Sequence, residues 1–446
     1  MEKYLLNTGE KALDLSKKKG VDAEVFLLYD KELSIEVSGG KVETLKEAEE
    51  IGMGLRVINN GRVGFSFTSD LTDYAIKEAV ENAITISAFS AADENNILPK
   101  GSFSYEAMDT FDSNIAKVSL EDKVSMSKEI EEVARSQDKR ISLVERSGYE
   151  DTEFISVVMN TNGLVAAGNG NFSGLYIFLV AEENDSAENG FSVMVKSKIN
   201  DLEPKKVGEE AAKNALRSLN AKSMKSAKLP CILDPYVATK FMGVLAHSVL
   251  ADSVQKGKSM FIGKEGEQIG SKVLNIVDDA TFKDGIATFP FDSEGVPSQN
   301  NVLIENGILK GFLYDTYTAN KAGVTSTGNG QRGSFRTLPS VGTSNFMISP
   351  GEASPENLIG DIEKGLYITE VLGMHTANPI SGDYSVGAAG ILIENGKLTI
   401  PVRGITIAGN LIDFLQDIDS VGNDLRFFGS KAASTIRLKS ISVGGE

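Results

Sequence analysis

The chain has 446 residues with 45 basic and 62 acidic side chains, a formal charge of −17; 41% of residues are hydrophobic and 24% charged. This is a globular mixture with length for two or three domains, and it excludes wholesale disorder, a coiled coil and a fibrous repeat. An acidic field repels phosphate, so nucleic acid and anionic membrane surfaces are not expected as direct partners.

The first element is an amphipathic helix over residues 2–19, with Leu5, Leu6, Ala12, Leu13 and Leu15 on its apolar side and Lys17 to Lys19 before Gly20. Strands are expected at 23–29, 33–37 and 52–58. Asn59-Asn60-Gly61 then signals a tight hairpin returning as 63–67. Residues 71–87 read as a helix capped near Ser69, Asp70 or Thr72. Residues 91–116 lack periodicity and read as a loop, and 120–136 is a second amphipathic helix. Strands follow at 141–147, 153–160, 164–171, 172–181 and 190–198, with Asn160-Thr161-Asn162-Gly163 as a turn, then a helix at 203–219. Hairpins outnumber βαβ units, which points to an antiparallel or mixed sheet.

Residues 221–228 form a small-residue linker, and the domain boundary is placed there. A strand at 229–233 leads into Asp234-Pro235, an N-cap acid followed by proline at the first helical position, and the helix is expected to run to about Gln255 before Gly257. Beyond it β signals dominate. Leu303–Leu309 and Leu392–Leu398 each place Asn-Gly between apolar runs, a resemblance read as shared hairpin chemistry, with internal duplication as the lesser reading. The expected architecture is α+β: an N-terminal α/β domain over 1–228 and a β-rich C-terminal domain over 229–446.

The chemistry available is sparse. The single cysteine, Cys231, fits a reducing cytoplasm, and only two histidines occur, His247 and His375. No run of 18 apolar residues is present, and Met1–Leu6 lacks the basic head and apolar stretch of a signal peptide. Gly328-Asn329-Gly330-Gln331-Arg332-Gly333 matches the dinucleotide fingerprint in letters, but no buried strand precedes it and Leu338-Pro339 leaves no room for a helix. It reads instead as a glycine-rich loop with exposed backbone groups, either a contact for a peptide or partner chain through Gly328, Asn329, Gly330 and Arg332 or a flexible surface connection. Gly257-Lys258-Ser259 is not a P-loop, because position 252 is Asp252 and the helix comes first. His247 lacks a second histidine and a glutamate in its helix. His375 and Asp383, near Tyr384, lie in a loop without an identifiable nucleophile and stand with the glycine-rich loop as candidate contacts for a peptide or partner chain. Asp278-Asp279 reads as a turn after a strand at 273–277.

The motif order identifies a family. Lys256-Gly257-Lys258-Ser259-Met260-Phe261, Val277-Asp278-Asp279, Asp292-Ser293-Glu294-Gly295-Val296-Pro297-Ser298-Gln299, Thr327-Gly328-Asn329-Gly330, Ile380-Ser381-Gly382-Asp383-Tyr384-Ser385 and Gly422-Asn423-Asp424-Leu425 together resemble the TldD/PmbA family. Gly54-Leu55-Arg56-Val57-Ile58 and Gly61-Arg62-Val63-Gly64 fit as well, so the resemblance spans nearly the whole chain. It implies a bacterial cytoplasmic peptidase system acting on unstructured peptides. In that system the TldD branch holds a metal with a His-Glu-x-x-x-His helix and a later cysteine, and the TldE (PmbA) branch lacks the site. Aligned to that pattern, Met242 stands for the first histidine, Gly243 for the glutamate and His247 for the second histidine, and residues 427–435 contain no cysteine. The resemblance therefore implies a non-catalytic TldE-type subunit with no cofactor of its own, zinc in a TldD-type partner, and a hetero- or homodimer. A self-sufficient metallopeptidase using His247, and a homo-oligomeric scaffold without peptidase role, stand as alternatives.

Overall fold

A computed structural model describes residues 1–445. The N-terminal part is one antiparallel six-stranded sheet in the order β3-β2-β1-β4-β5-β6. Its strands are β1 (Asp22–Ser38), β2 (Lys41–Asn59), β3 (Arg62–Thr68), β4 (Ile141–Asn160), β5 (Val165–Glu183) and β6 (Ser186–Lys196). Four helices accompany it: α1 (Glu2–Lys18), α2 (Asp73–Ser87), α3 (Leu120–Gln137) and α4 (Pro204–Leu216). Six of the expected strands are parts of three longer ones. The segments at 23–29 and 33–37 are both β1, and those at 141–147 and 153–160 are both β4. Charged residues interrupt the apolar alternation where the strands leave the core, so each continuous strand reads as two. The segments at 164–171 and 172–181 are likewise one strand, β5.

Chain order exposes a repeat that the sequence conceals. The succession helix-strand-strand-strand-helix runs once through α1, β1, β2, β3 and α2, and again through α3, β4, β5, β6 and α4. The two halves meet at the β1–β4 pair in the middle of the sheet. One sheet face carries all four helices. Val25, Leu27, Met53, Leu55 and Val57 pack under α1 and α2, while Ile35, Val37, Tyr149, Leu175 and Ile177 pack under α3 and α4. The opposite face presents Phe26 and Val158 to the C-terminal domain. The Asn59–Gly61 turn forms as expected, with Asn60 and Gly61 at φ 51° and 74°, and Thr72 caps α2.

The C-terminal part begins with β7 (Ala227–Leu233), inside the expected linker. The helix expected to reach Gln255 is two helices, α5 (Pro235–Ser248) and α6 (Ala251–Gln255). Between them the chain extends, and Leu250 bridges to Leu313. Next come β8 (Ile276–Asp279), β9 (Asn300–Glu305), β10 (Ile308–Leu309), α7 (Thr316–Ala322), β11 (Gly330–Gln331), β12 (Ser340–Val341) and β13 (Phe346–Ile348). The chain ends with α8 (Pro355–Gly360), β14 (Lys364–Leu372), β15 (Asp383–Glu394), β16 (Lys397–Asn410), α9 (Leu411–Asp417), β17 (Ile418–Val421), β18 (Arg426–Phe428), β19 (Lys431–Ala433) and β20 (Ile436–Gly444).

The β16-β15-β14-β7-β20 run closes on itself through a β16–β20 pairing, giving a five-stranded barrel with β17 appended to β20. A second sheet runs β10-β9-β8-β13-β19-β18. Helix α5 packs on strands of both, and its Val237, Phe241, Met242 and Leu245 join the shared core. Among the described residues no helix is long and apolar enough to cross a membrane.

Candidate functional site

The exposed face of α5 is the first place to look for chemistry. Gly243 and His247 lie on it, whereas Met242 is buried in the core at 1% exposure. The three aligned positions are therefore not on one face. The ring Nε2 of His247 is 3.2 Å from the Ser253 hydroxyl. The β18–β19 hairpin packs against α5, and a Cβ placed on Gly243 would sit 4.0 Å from Cε of Lys431. A lysine tail thus lies where a metal site would need an anionic or neutral donor.

The loop at 374–380 reaches the C-terminal end of α5, where Ser248 Oγ donates to the Pro379 carbonyl oxygen at 3.0 Å. His375 on that loop is exposed. Asp383 is exposed and accepts from Ser381 Oγ (2.8 Å) and Asn410 Nδ2 (2.9 Å), and these bonds, Asn410 first, hold its carboxyl below the usual range. Among the described residues no three His, Cys, Asp or Glu side chains converge on a point that could hold a metal ion. Zinc needs three or four such donors, so the residues around His247 do not fit the ion that the resemblance associates with this helix. Cys231 is not a candidate either: it is buried within the barrel strand β7, and burial pushes its thiol up.

Two of the clefts between the domains bear on the site. The larger, about 890 Å³, runs between α4 and the barrel beside the start of α5. Its cations Lys206, Lys213, Arg217, Lys397 and Arg426 are balanced by Glu209, Glu210, Asp234, Glu356 and Asp424. Arg426 pairs with Glu210, and Arg217 with Asp234 at 3.3 Å. A ladder of rings borders the adjoining cavity and crosses the domain boundary: Phe178 to Phe191 (6.1 Å), Phe191 to Tyr236 on α5 (4.6 Å), and Tyr236 to Phe428 (5.1 Å).

The smaller cleft, about 240 Å³, has Phe26, Phe289 and Phe291 on its walls and includes Gly328, Arg332 and Gly333. The glycine-rich loop does not display a free backbone as expected. A Cβ on Gly328 would come within 2.5 Å of the Pro297 carbonyl oxygen, and one on Gly330 within 2.8 Å of Glu294. Asn329 is fully buried; it donates to Asp278 Oδ2 (2.7 Å) and the Gly342 carbonyl (3.0 Å) and accepts from Thr327 (2.7 Å) and Asn301 (3.1 Å).

Arg332 points inward to a buried charge cluster that sequence reasoning missed. Arg56 Nη2 on β2 bonds Glu24 Oε2 on β1 (2.7 Å) and Glu294 Oε1 from the C-terminal domain (2.9 Å), and Arg332 holds the other oxygen of Glu24. Burial works against the Arg56 charge, but Glu24 and Glu294 outweigh it and its pKa rises. Asp292 accepts the backbone N–H groups of Gly330 (2.7 Å), Glu294 and Val296 (both 2.9 Å); burial, then the Glu294 carboxylate, nevertheless pushes its carboxyl well above the usual range. The signal was present in the sequence: Glu24 and Arg56 are single charges inside otherwise apolar strand runs.

Asp278-Asp279 is not a turn but the end of β8, and Asp278 is fully buried. Burial raises its pKa to about 6. A carboxyl whose folded pKa lies above its unfolded value stabilises most below the unfolded value, and that stability is lost as pH rises through the folded value. The window here is about pH 4 to 6. The stability of Asp278→Asn relative to the parent, followed by urea denaturation, is thus expected to increase from pH 4 to pH 6.5. A flat difference would show that folding leaves the Asp278 pKa unshifted.

Comparison with known proteins closes the assignment. The chain matches PmbA/TldA metallopeptidase domain 1 over residues 23–87, the central domain over 113–219 and the C-terminal domain over 226–445. Metalloprotease PmbA of Escherichia coli O157:H7 is 29% identical over 437 residues, which is 98% of this chain and 95% of that protein. The crystal structure of TM0727 from Thermotoga maritima superposes with a TM-score of 0.91 at 30% identity, covering 99% of this chain and 100% of the other. That of TldE from Thermococcus kodakarensis gives 0.90 at 25% identity, with 99% of each chain covered. With its three domains matched in order and its whole length superposed, the chain belongs to the PmbA/TldD metallopeptidase family.

Proposed function

We propose that this chain is a TldE-type subunit without hydrolytic chemistry of its own, acting in the cytoplasm with a zinc-bearing TldD-type protein on unstructured peptides. The observation that carries this reading is the α5 face. His247 is the one metal-ligating side chain among the aligned positions, Gly243 supplies no carboxylate base, and Lys431 fills the neighbouring hairpin position. One imidazole holds zinc too weakly to build a site, and without a base no water is activated. The 890 Å³ cleft beside α5 is the candidate peptide path. Its equal numbers of cations and acids select neither sign, which suits a peptide held through its backbone with little sequence preference.

The test is reconstitution. The purified chain alone is expected to hold well under one zinc per molecule and to leave an unstructured protein such as casein intact. Hydrolysis is expected only after mixing with a TldD-type protein, and it should survive His247→Ala in this chain. About one tightly held zinc per chain, lost together with intrinsic hydrolysis in His247→Ala, would overturn the proposal.

A further inference from the structure

The helix face that the resemblance associates with a metal ion carries cations of the chain's own. The outward side of α5 falls at Tyr236, Lys240, Gly243 and His247, three or four residues apart, so the four form one stripe. In the β18–β19 hairpin Phe428 is paired with Lys431, and opposed residues point to the same side of a ladder. Both meet α5. The Phe428 ring lies 5.1 Å from that of Tyr236, and Cε of Lys431 lies 4.0 Å from the Cβ position of Gly243. Lys240 stands between these two contacts, its ammonium 4.2 Å from the centroid of the Tyr236 ring.

Among the described residues neither lysine has an acid within 4.0 Å of its ammonium. The arginines of the adjoining cleft do, Arg217 with Asp234 and Arg426 with Glu210. Glu370, on the strand β14 that packs against α5, borders the same ring-lined cavity, but burial and then Glu188 raise its carboxyl and neither lysine offsets them. In a chain of charge −17, a patch of unpaired positive charge inverts the local field and draws anions.

We propose that Lys240 and Lys431 bind the C-terminal carboxylate of a peptide, with its last side chain set on the Tyr236 and Phe428 rings. Two ammonium groups match two carboxylate oxygens in charge-assisted hydrogen bonds. The rings border a cavity of about 100 Å³, room for one apolar side chain. A terminal residue carries its carboxylate and its side chain on one α-carbon, so it uses lysines and rings together. An aspartate or glutamate side chain spends its carboxylate and leaves nothing apolar for the rings. The role rests on the subunit reading, since it makes this chain present peptide, but the binding belongs to this chain alone.

The experiment is fluorescence anisotropy on the isolated full chain with three N-terminally labelled, unstructured octapeptides. One ends in phenylalanine with a free carboxylate, the second is the same sequence amidated, and the third is the amidated sequence with one internal aspartate. The free acid is expected to bind at least about tenfold more tightly than either amide. Lys240→Met combined with Lys431→Met should abolish that preference, and Lys240→Arg combined with Lys431→Arg should keep it, with melting temperatures unchanged in both. Equal binding of free acid and amide would overturn the proposal. So would a preference that survives the methionine pair, or an internal aspartate that binds as tightly as the free C-terminus. Each of these leaves the subunit reading intact, whereas hydrolysis by the chain alone would sink that reading and leave the anisotropy result standing.

Discussion

Arg56→Ala should be among the most damaging single substitutions in this chain, costing about 3–5 kcal/mol. The guanidinium is buried, its Nη2 held by Glu24 at 2.7 Å and Glu294 at 2.9 Å. Both carboxylates are fully buried, and Asp292 and Asp315 stand close by. Removing the arginine leaves Glu294 without its counter-charge and Glu24 with Arg332 alone, in a region that water cannot reach, so the loss is mostly the penalty on the partners left behind. That account makes a second result necessary. Arg56→Met combined with Glu294→Gln removes one cation and one anion together, leaves Glu24 paired with Arg332, and should recover a substantial part of the loss, since neutral groups cost far less to bury. Chemical denaturation of the three proteins at pH 7 decides it. If Arg56→Ala costs under about 1 kcal/mol, the cluster is not what joins the domains.

Phe335→Ala should follow, at about 3–5 kcal/mol. Phe335 arises from the C-terminal domain but is fully buried on the outer face of the N-terminal sheet. A side chain at Gly52 would overlap its ring, and one at Gly54 would overlap its carbonyl oxygen. Phe67 meets the ring edge-on at 6.5 Å, and Arg336 lies over it at 4.4 Å. The pair of glycines is thus a socket on β2 for a residue nearly 300 positions later in the chain. Truncation opens a cavity at the domain interface, so limited proteolysis between Ala221 and Ser226 should accelerate along with the fall in denaturation midpoint. Gly52→Ala should produce the same two changes by overfilling the socket. Equal proteolysis of parent and variants would separate Phe335 from domain association.

The sequence by itself determined the elements whose signals are local. Capping acids and hydroxyls, Asn-Gly pairs and the 3.6-residue pattern placed α1, α2, α3 and the 59–61, 306–307 and 395–396 turns, because each depends on a few neighbouring residues. Motif order determined the family, and the scarcity of histidine and cysteine ruled out a full ligand set on α5 before any geometry was known. Continuity of the long strands was not legible. Where β1 and β4 leave the core, Lys31, Glu32, Glu150 and Asp151 break the apolar alternation, although the ladder runs on through them with Leu33 of β1 opposite Asp151 of β4. Nor was the break at Leu250 legible, since it is made by pairing with Leu313 more than sixty residues away. The glycine-rich loop shows the limit most plainly. Gly330 and Arg332 read as free contacts because flexibility is local, but their surroundings are Asp292, Glu294 and Glu24, brought in from two distant stretches of chain. Only the tertiary structure decides whether a charge or a glycine faces water or the interior, because burial is set by residues distant in sequence whose approach no local pattern encodes.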